Sequence, residues 1–135
     1  MPLICSAQIF VATWGLPEAC ETAAYLAALK PLPPPPPPGA GGPFALSDEG
    51  ALRSLVASAG LTPQSIEDMD VTWPFENLDT ALAAMLAAGP SILAIQTSGR
   101  DRVRATLERA IAPFRPSDSR YRLENRFRYL LATRD

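Results

Sequence analysis

The residue types that most often carry out chemistry are sparse in this chain. Histidine, the commonest general base and metal ligand, is absent from all 135 residues. Cys5 and Cys20 lie fifteen positions apart with no histidine beside them, which is not the spacing of a zinc site. We therefore expect buried free thiols in a reducing compartment. Glu18, Glu21 and Asp70 could act as bases, but nothing distinguishes them from surface acids, so we assign no catalytic or metal-binding residue.

Large aromatic side chains are the remaining candidates for a binding site. Apolar pockets with a few polar groups are common small-molecule sites, and the candidate substrate-binding residues are Trp14, Phe44, Trp73, Phe75 and Tyr121. Trp14 is the best placed, because it follows a predicted strand at its carboxyl end, where open α/β sheets bind ligands. The alternative is that the aromatics are ordinary core residues, and we prefer it for Trp73 and Phe75.

Charge is distributed unevenly along the chain. Residues 1–99 carry two basic and nine acidic side chains (net −7), whereas residues 100–135 carry ten arginines and five acids (net +5). A basic tail can indicate nucleic-acid binding. Here the arginines are interleaved with acids, which favours solvated faces and intramolecular ion pairs. Nucleic-acid binding is therefore the weakest hypothesis, and we expect no nucleic-acid partner.

Nothing in the sequence predicts a membrane segment. The most apolar run, residues 81–95, is interrupted by Gly89 and Pro90 and is too short to span a bilayer. No basic segment precedes the start of the chain, which makes a signal peptide unlikely on pattern grounds. We therefore expect a cytoplasmic protein without a membrane partner.

Three stretches have the composition of β-strands. Residues 9–13 are rich in β-branched and aromatic side chains, and residues 66–73 alternate approximately and are expected to stop at Pro74. In the last stretch, residues 126–133, apolar side chains occur on both faces of an extended chain. A strand that is apolar on both faces should be covered on both faces, inside a sheet.

Alanine-rich or amphipathic stretches between these strands predict helices. Pro17 suits the start of the first helix, Ser47 is expected to cap the second, and Ser91 the fourth. Glu76 or Asn77 opens the third helix. The predicted helices cover residues 18–30, 48–59, 78–88, 91–98 and 100–111.

A proline run separates the first two helices. The six residues from Pro33 to Pro38 are all proline and lead into a glycine-rich stretch, so residues 31–43 are predicted to run from polyproline II into a flexible loop. Such a loop could dock into an SH3- or WW-type groove. It could equally be a variable surface loop, because composition alone does not separate the two.

Five sequence segments, in this order, resemble the C-terminal half of a class I S-adenosylmethionine-dependent methyltransferase. The segments are FVATWG (10–15), GPFALSD (42–48), LRSLVASAGL (52–61), WPF (73–75) and YRLENRFRY (121–129). The resemblance covers nearly the whole chain. It implies an α/β fold in one domain, residues 1–135: a partial Rossmann-like methyltransferase fold of about three strands, with the last strand central and antiparallel. By the same resemblance, residues 9–13, 66–73 and 126–133 are the fifth, sixth and seventh strands of the family's sheet, and residues 76–113 form a helical insertion that closes over substrate.

The family's cofactor-binding features have no counterpart in this chain. In that family a glycine-rich turn follows the first strand, and an acidic residue ends the second. The only glycine-rich stretch here, residues 39–42, follows prolines instead of a strand. We therefore expect this chain alone to bind no cofactor, and S-adenosylmethionine to bind only if the missing half is supplied.

Two functions remain open at this point. The first is a methyltransferase-like protein that lacks its cofactor half and is inactive alone, acting on a small-molecule methyl acceptor only with a partner. The second is a non-catalytic protein-interaction module that uses the residual fold and the polyproline loop. Without a preceding strand, the edge from Ile9 to Thr13 would expose unpaired backbone groups. We therefore expect either a homodimer or a partner chain that pairs with this edge.

Overall fold

A computed structural model describes residues 7–116 and 118–134 of the chain. Within them the protein is mixed α/β, with a three-stranded antiparallel sheet and five α-helices. The strands are β1 (Ala7–Trp14), β2 (Thr62–Phe75) and β3 (Tyr121–Arg134). The helices are α1 (Thr22–Leu29), α2 (Glu49–Ser58), α3 (Leu78–Leu86), α4 (Gly89–Ser98) and α5 (Arg100–Ile111). All three predicted strands are present, whereas Cys5 lies outside the described residues.

The last strand of the chain is the central strand of the sheet. The strand order is β1-β3-β2, and β3 pairs with β1 in antiparallel sense, with Trp14 opposite Phe127 and Ala7 opposite Arg134. On its other side, Arg128 bonds Asp68 and Arg126 bonds Asp70, so residue numbers rise along β3 as they fall along β2. The prediction of a central, antiparallel last strand is confirmed.

Strand β2 is longer than predicted, and Pro74 does not end it. The strand starts at Thr62 and passes through Pro74 to Phe75. Because β2 is an outer strand in the sheet order, a residue without an N–H group can be accommodated there. The prediction that Pro74 stops the strand was therefore wrong, and the strand begins at Thr62, before the predicted start at Ile66.

The helix starts required three corrections. The predicted helix at residues 18–30 is divided into a 3₁₀ turn (Pro17–Ala19) and α1, because Cys20 between them is extended. The cap of α2 is Asp48, whose Oδ1 accepts from the Ala51 N–H at 2.9 Å. Helix α4 starts at Gly89, with a proline in its first turn, so Ser91 does not cap it. Asn77 caps α3 as predicted.

The described residues divide into two compact units. The first contains residues 7–20, 41–71 and 125–134. Its core is formed by α2 against one face of β3, where Leu52 and Val56 pack with Leu130 and Ala132. The opposite face of β3 carries Phe127, Tyr129 and Leu131, which are only half-buried. The expectation that both faces are covered therefore holds for one face only.

The second unit contains residues 21–40 and 72–124 and is mainly helical. Helix α5 is its centre, since it packs against α1, α3 and α4. Val103, Leu107 and Ile111 recur every four residues along α5 and are fully buried. The helical face that was predicted for residues 100–111 is thus the centre of this core.

The proline run is held at its start and exposed beyond it. Leu32 is buried in the core of the second unit, and its carbonyl oxygen accepts a hydrogen bond from Ser98 Oγ at 2.8 Å. The prolines from Pro34 to Pro38 are exposed and belong to no helix or strand. The polyproline II conformation of this run and its role both stay predictions.

Among the described residues, no single helix has the length and apolar character needed to cross a membrane. Helices α3 and α4 meet that test only as a pair bent by 84°.

Candidate functional site

An apolar pocket of about 400 Å³ opens in the second unit. Trp73 and Phe75, two of the predicted substrate-binding residues, line it together. They lie two positions apart near the end of β2, and side chains with this spacing point to the same face of a strand. The complete lining is Tyr25, Trp73, Pro74, Phe75, Ala84, Met85 and Ala88.

Sequence reasoning missed Tyr25 and Met85. Tyr25 lies in the alanine-rich helix α1, and both residues belong to the main core of the second unit. Tyr25 shares a buried face with Leu29, four positions on. The signal that could have indicated Tyr25 was its position four residues before Leu29 in an alanine-rich helix, which places the two side chains on one helical face.

Tyr25 is a lining residue whose side chain carries a hydroxyl group. The side chain is only 5% exposed, and burial raises its pKa above the ordinary tyrosine value. The hydroxyl therefore stays protonated at neutral pH and can donate or accept one hydrogen bond. The pocket thus has large aromatic surfaces and few polar groups, which suits a planar, largely apolar molecule.

Trp14 and Phe44 come together in the first unit. Trp14 stacks on Phe127, with ring centroids 4.5 Å apart, and its ring lies 5.8 Å from that of Phe44. Ser47 Oγ donates to the Trp14 carbonyl oxygen at 2.9 Å. These contacts hold Trp14 at the end of β1, where the sequence predicted a ligand contact, and that role stays a prediction.

Tyr121, the fifth predicted residue, lines a different depression of the second unit. This depression has a volume of about 340 Å³, and its other lining residues are mainly polar: Asn77, Leu78, Asp79, Arg115 and Ser119. Tyr121 itself is 7% exposed and belongs to the core of the unit. Tyr121 therefore combines a core position with a place at the rim of a polar depression.

Two of the three acids considered as bases are held in structural contacts. Glu21 Oε2 accepts from the Glu124 N–H at 2.6 Å, and the Glu21 N–H donates to the Glu124 carbonyl oxygen at 2.9 Å. Asp70 pairs with Arg126 at 2.8 Å on an exposed part of the sheet. Glu18 is exposed. The geometry gives no reason to select any of them as a base.

Five of the ten arginines in residues 100–135 form described ion pairs. Arg128, only 7% exposed, binds both Asp68 carboxylate oxygens at 2.7 and 3.0 Å and donates to the Ser47 carbonyl oxygen at 2.6 Å. The hydrogen bonds from Arg128 to the Asp68 carboxylate hold the pKa of Asp68 below its ordinary value. The described ion pairs of the region are Arg104–Asp79, Arg120–Asp118, Arg122–Glu124, Arg126–Asp70 and Arg128–Asp68. These five arginines therefore form intramolecular ion pairs, which the sequence analysis preferred to nucleic-acid binding.

The glycine-rich stretch at residues 39–42 does not have the surroundings of a nucleotide-binding turn. Gly39 and Gly42 have φ angles of 85° and 72°, but they lie in an exposed loop between α1 and α2, with no strand leading into it. Helix α2 starts only at Glu49. A phosphate- or cofactor-binding glycine turn needs a strand directly before it and a helix directly after it. No group of three or more metal-binding side chains occurs within residues 7–116 and 118–134.

Comparison with known proteins adds no identification. The chain matches no protein-family model, and no curated protein is significantly similar to it.

Proposed function

We propose that this chain is the acceptor-binding part of a methyltransferase-like protein that lacks the S-adenosylmethionine-binding half. It is inactive alone and acts by self-association or with a partner that supplies the missing half. The observation that supports this most is the sheet order β1-β3-β2, with the last strand central and antiparallel to β1. The resemblance to the methyltransferase family implies this same arrangement.

The apolar pocket of the second unit is the proposed acceptor site. Trp73 and Phe75, which the sequence offered as candidate pocket residues, provide aromatic surfaces, and Tyr25 provides a hydroxyl group. Methyl transfer requires above all that donor and acceptor be aligned. A rigid aromatic pocket aligns a planar acceptor without a catalytic base, which agrees with the absence of histidine from the sequence.

The proposed acceptor site is tested with 2-naphthol as a planar aromatic probe. We expect it to quench the fluorescence of Trp73, measured in a Trp14→Phe background so that one tryptophan reports. Ala84→Leu, which fills the pocket from α3, should weaken binding about tenfold or more. Ala83→Leu is the matched control, because Ala83 is the exposed neighbour of Ala84 and is not in the lining. Equal binding by the two variants would refute the assignment of this pocket.

The missing cofactor half is tested by calorimetric titration of the chain with S-adenosylmethionine. We expect no heat of binding from the chain alone. Micromolar binding would show that a cofactor site exists in the chain and would overturn the proposal that the site must come from a partner.

A second function, protein recognition through the proline run, is favoured by one observation. The five prolines from Pro34 to Pro38 are exposed, and an exposed polyproline II segment presents the shape that SH3- and WW-type grooves recognise. Binding of a panel of such domains to the chain, lost when the prolines are replaced, would support this function over the first.

A further inference from the structure

The two outer strands of the sheet in the first unit differ in how they are protected. Strand β2 carries Pro63, Glu67, Asp68 and Asp70, and prolines and charges are the usual means by which an outer strand avoids pairing with other chains. Strand β1 has the sequence AQIFVATW, with no charged residue and no proline. Within the described residues no strand lies beyond β1. This edge is therefore open to pairing where the other is not.

The backbone register shows which groups of β1 face outward. The Gly15 N–H donates to the Arg126 carbonyl oxygen at 2.7 Å, directly after the pair Trp14 and Phe127. In an antiparallel ladder, hydrogen-bonded pairs alternate with non-bonded pairs. The odd-numbered residues of β1 therefore bond to β3, and Gln8, Phe10 and Ala12 direct their N–H and C=O groups away from it.

The side chains along this part of β1 are exposed as well. Gln8, Phe10 and Ala12 are all exposed, and Phe10, at 64%, is among the most exposed large apolar side chains of the described residues. The Phe10 ring lies 6.4 Å from that of Tyr129 on the sheet face that α2 does not cover. An apolar side chain at the middle of an uncharged, open edge is typical of a pairing surface.

We propose that β1 pairs with β1 of a second copy of this chain, antiparallel about a two-fold axis perpendicular to the sheet at Phe10. In this register Phe10 lies opposite Phe10 of the partner subunit, and Gln8 opposite Ala12 of the partner subunit. Gln8, Phe10 and Ala12 are then in hydrogen-bonded pairs, which would add about six backbone hydrogen bonds. The two sheets become one sheet of six strands.

A second copy suits this edge better than a charged partner strand. The outward-facing residues of β1 are all even-numbered. A two-fold axis at Phe10 therefore places each outward-facing residue opposite another outward-facing residue, so that their backbone N–H and C=O groups can bond. Since β1 has no charge, a copy brings no like charges together. The inference deepens the proposed function by naming its partner, and it rests on that function only for the requirement that a partner exist.

Sedimentation of the full chain over a concentration series, with an Ala12→Pro variant, tests the proposal. Proline removes the outward N–H of Ala12 and leaves the ladder to β3 intact. We expect the wild-type chain to dimerise and Ala12→Pro to raise the dimer dissociation constant about tenfold or more, because two symmetric hydrogen bonds are lost. Ala12→Thr keeps the N–H and is the matched control, expected to dimerise like the wild type. Circular dichroism checks that both variants are folded.

Amide hydrogen exchange resolves the register. The amides of Gln8, Phe10 and Ala12 should become protected as the concentration rises. A wild-type chain that is monomeric at every concentration overturns the proposal, and so does an Ala12→Pro variant that dimerises like the wild type. Failure here leaves 2-naphthol binding unaffected, because Ala12 is not in the pocket lining, so the two proposals fail separately.

Discussion

At the scale of single residues, Arg128 is the most constrained charged group of the first unit. Its guanidinium is almost buried and is held by both carboxylate oxygens of Asp68 and by the Ser47 carbonyl oxygen. The sequence indicated that arginines of this region would pair with acids. It did not indicate that the guanidinium of Arg128 would be almost buried while both partners of the neighbouring pair, Arg126–Asp70, would stay exposed. Both arginines are on the same face of β3, and Arg128 differs in that it also reaches the carbonyl oxygen of the buried Ser47, just before α2.

Replacing Asp68 tests how much the Arg128–Asp68 ion pair contributes to the free energy of unfolding. We expect Asp68→Asn to lower the free energy of unfolding by about 2 kcal/mol at neutral pH, because the shielded guanidinium loses its counter-charge. Urea unfolding measures the change. Asp70→Asn is the matched control: its pair is exposed on both sides, so only a small change is expected. Equal effects of the two substitutions would contradict the assigned difference in burial.

The same pair predicts how stability depends on pH. The pKa of Asp68 is lowered in the folded protein, so its contribution is present above the unfolded pKa of about 3.9. That contribution is lost as the pH falls through the lower folded value. On acidification below about pH 5, the wild-type chain should therefore lose more unfolding free energy than Asp68→Asn. Parallel pH curves for the two proteins would exclude Asp68 as the cause.

At the scale of elements, the turn after β1 depends on a glycine. Gly15 is buried, and its N–H donates to the Arg126 carbonyl oxygen at 2.7 Å. A Cβ atom at this position would lie only 2.7 Å from that same oxygen, which belongs to the central strand. The sequence predicted a strand that ends at Thr13 and a helix that starts near Pro17, with Gly15 between them. The close approach of the turn to β3 became visible only in the fold.

Gly15→Ala should therefore destabilise the protein, by about 1–3 kcal/mol, because either the turn or β3 must shift. Denaturant unfolding monitored by circular dichroism measures this. Gly89→Ala is the control, since Gly89 is exposed in the first turn of α4 and a Cβ there meets no atom within 4 Å. That substitution should be neutral or stabilising, by up to about 1 kcal/mol. A Gly15→Ala chain as stable as the wild type would show that the turn adapts freely.

At the scale of the whole molecule, the proline run connects α1 to α2 along the chain without joining a core. The residue directly before the run, Leu32, is anchored by its buried side chain and by the hydrogen bond from Ser98 Oγ to its carbonyl oxygen. The exposed prolines still contribute to stability, because they restrict the unfolded chain.

Replacement of residues 34–38 by a glycine–serine linker of equal length should keep the helix and strand content. The free energy of unfolding should fall by about 1–3 kcal/mol, since the more flexible linker loses more entropy on folding. Leu32→Ala is the comparison and should cost about 2–5 kcal/mol, because it leaves a cavity in a core. Calorimetry gives both values. A linker variant that loses its near-ultraviolet circular dichroism would show that the prolines do more than connect.

Most elements of the fold could be predicted because their signals are local. The apolar stripe of α5, the cap at Asn77 and the alternation in β3 depend on neighbours within a few positions, so composition and spacing were sufficient. Helix starts failed where distant groups compete. Ser47 was expected to cap α2, but its hydroxyl donates to the Trp14 carbonyl oxygen, 33 positions away in the chain.

The candidate site shows the same division. Trp73 and Phe75 could be selected from the sequence because they are large aromatic residues. Tyr25 and Met85 could not, because they reach the pocket from helices that are distant in sequence. The amino-acid sequence by itself determined the three strands and the amphipathic helices. Only the tertiary structure decided which face of β3 is covered, which arginine is shielded and which backbone groups of β1 face outward. Those properties depend on contacts between segments far apart in the chain, and no local pattern encodes them.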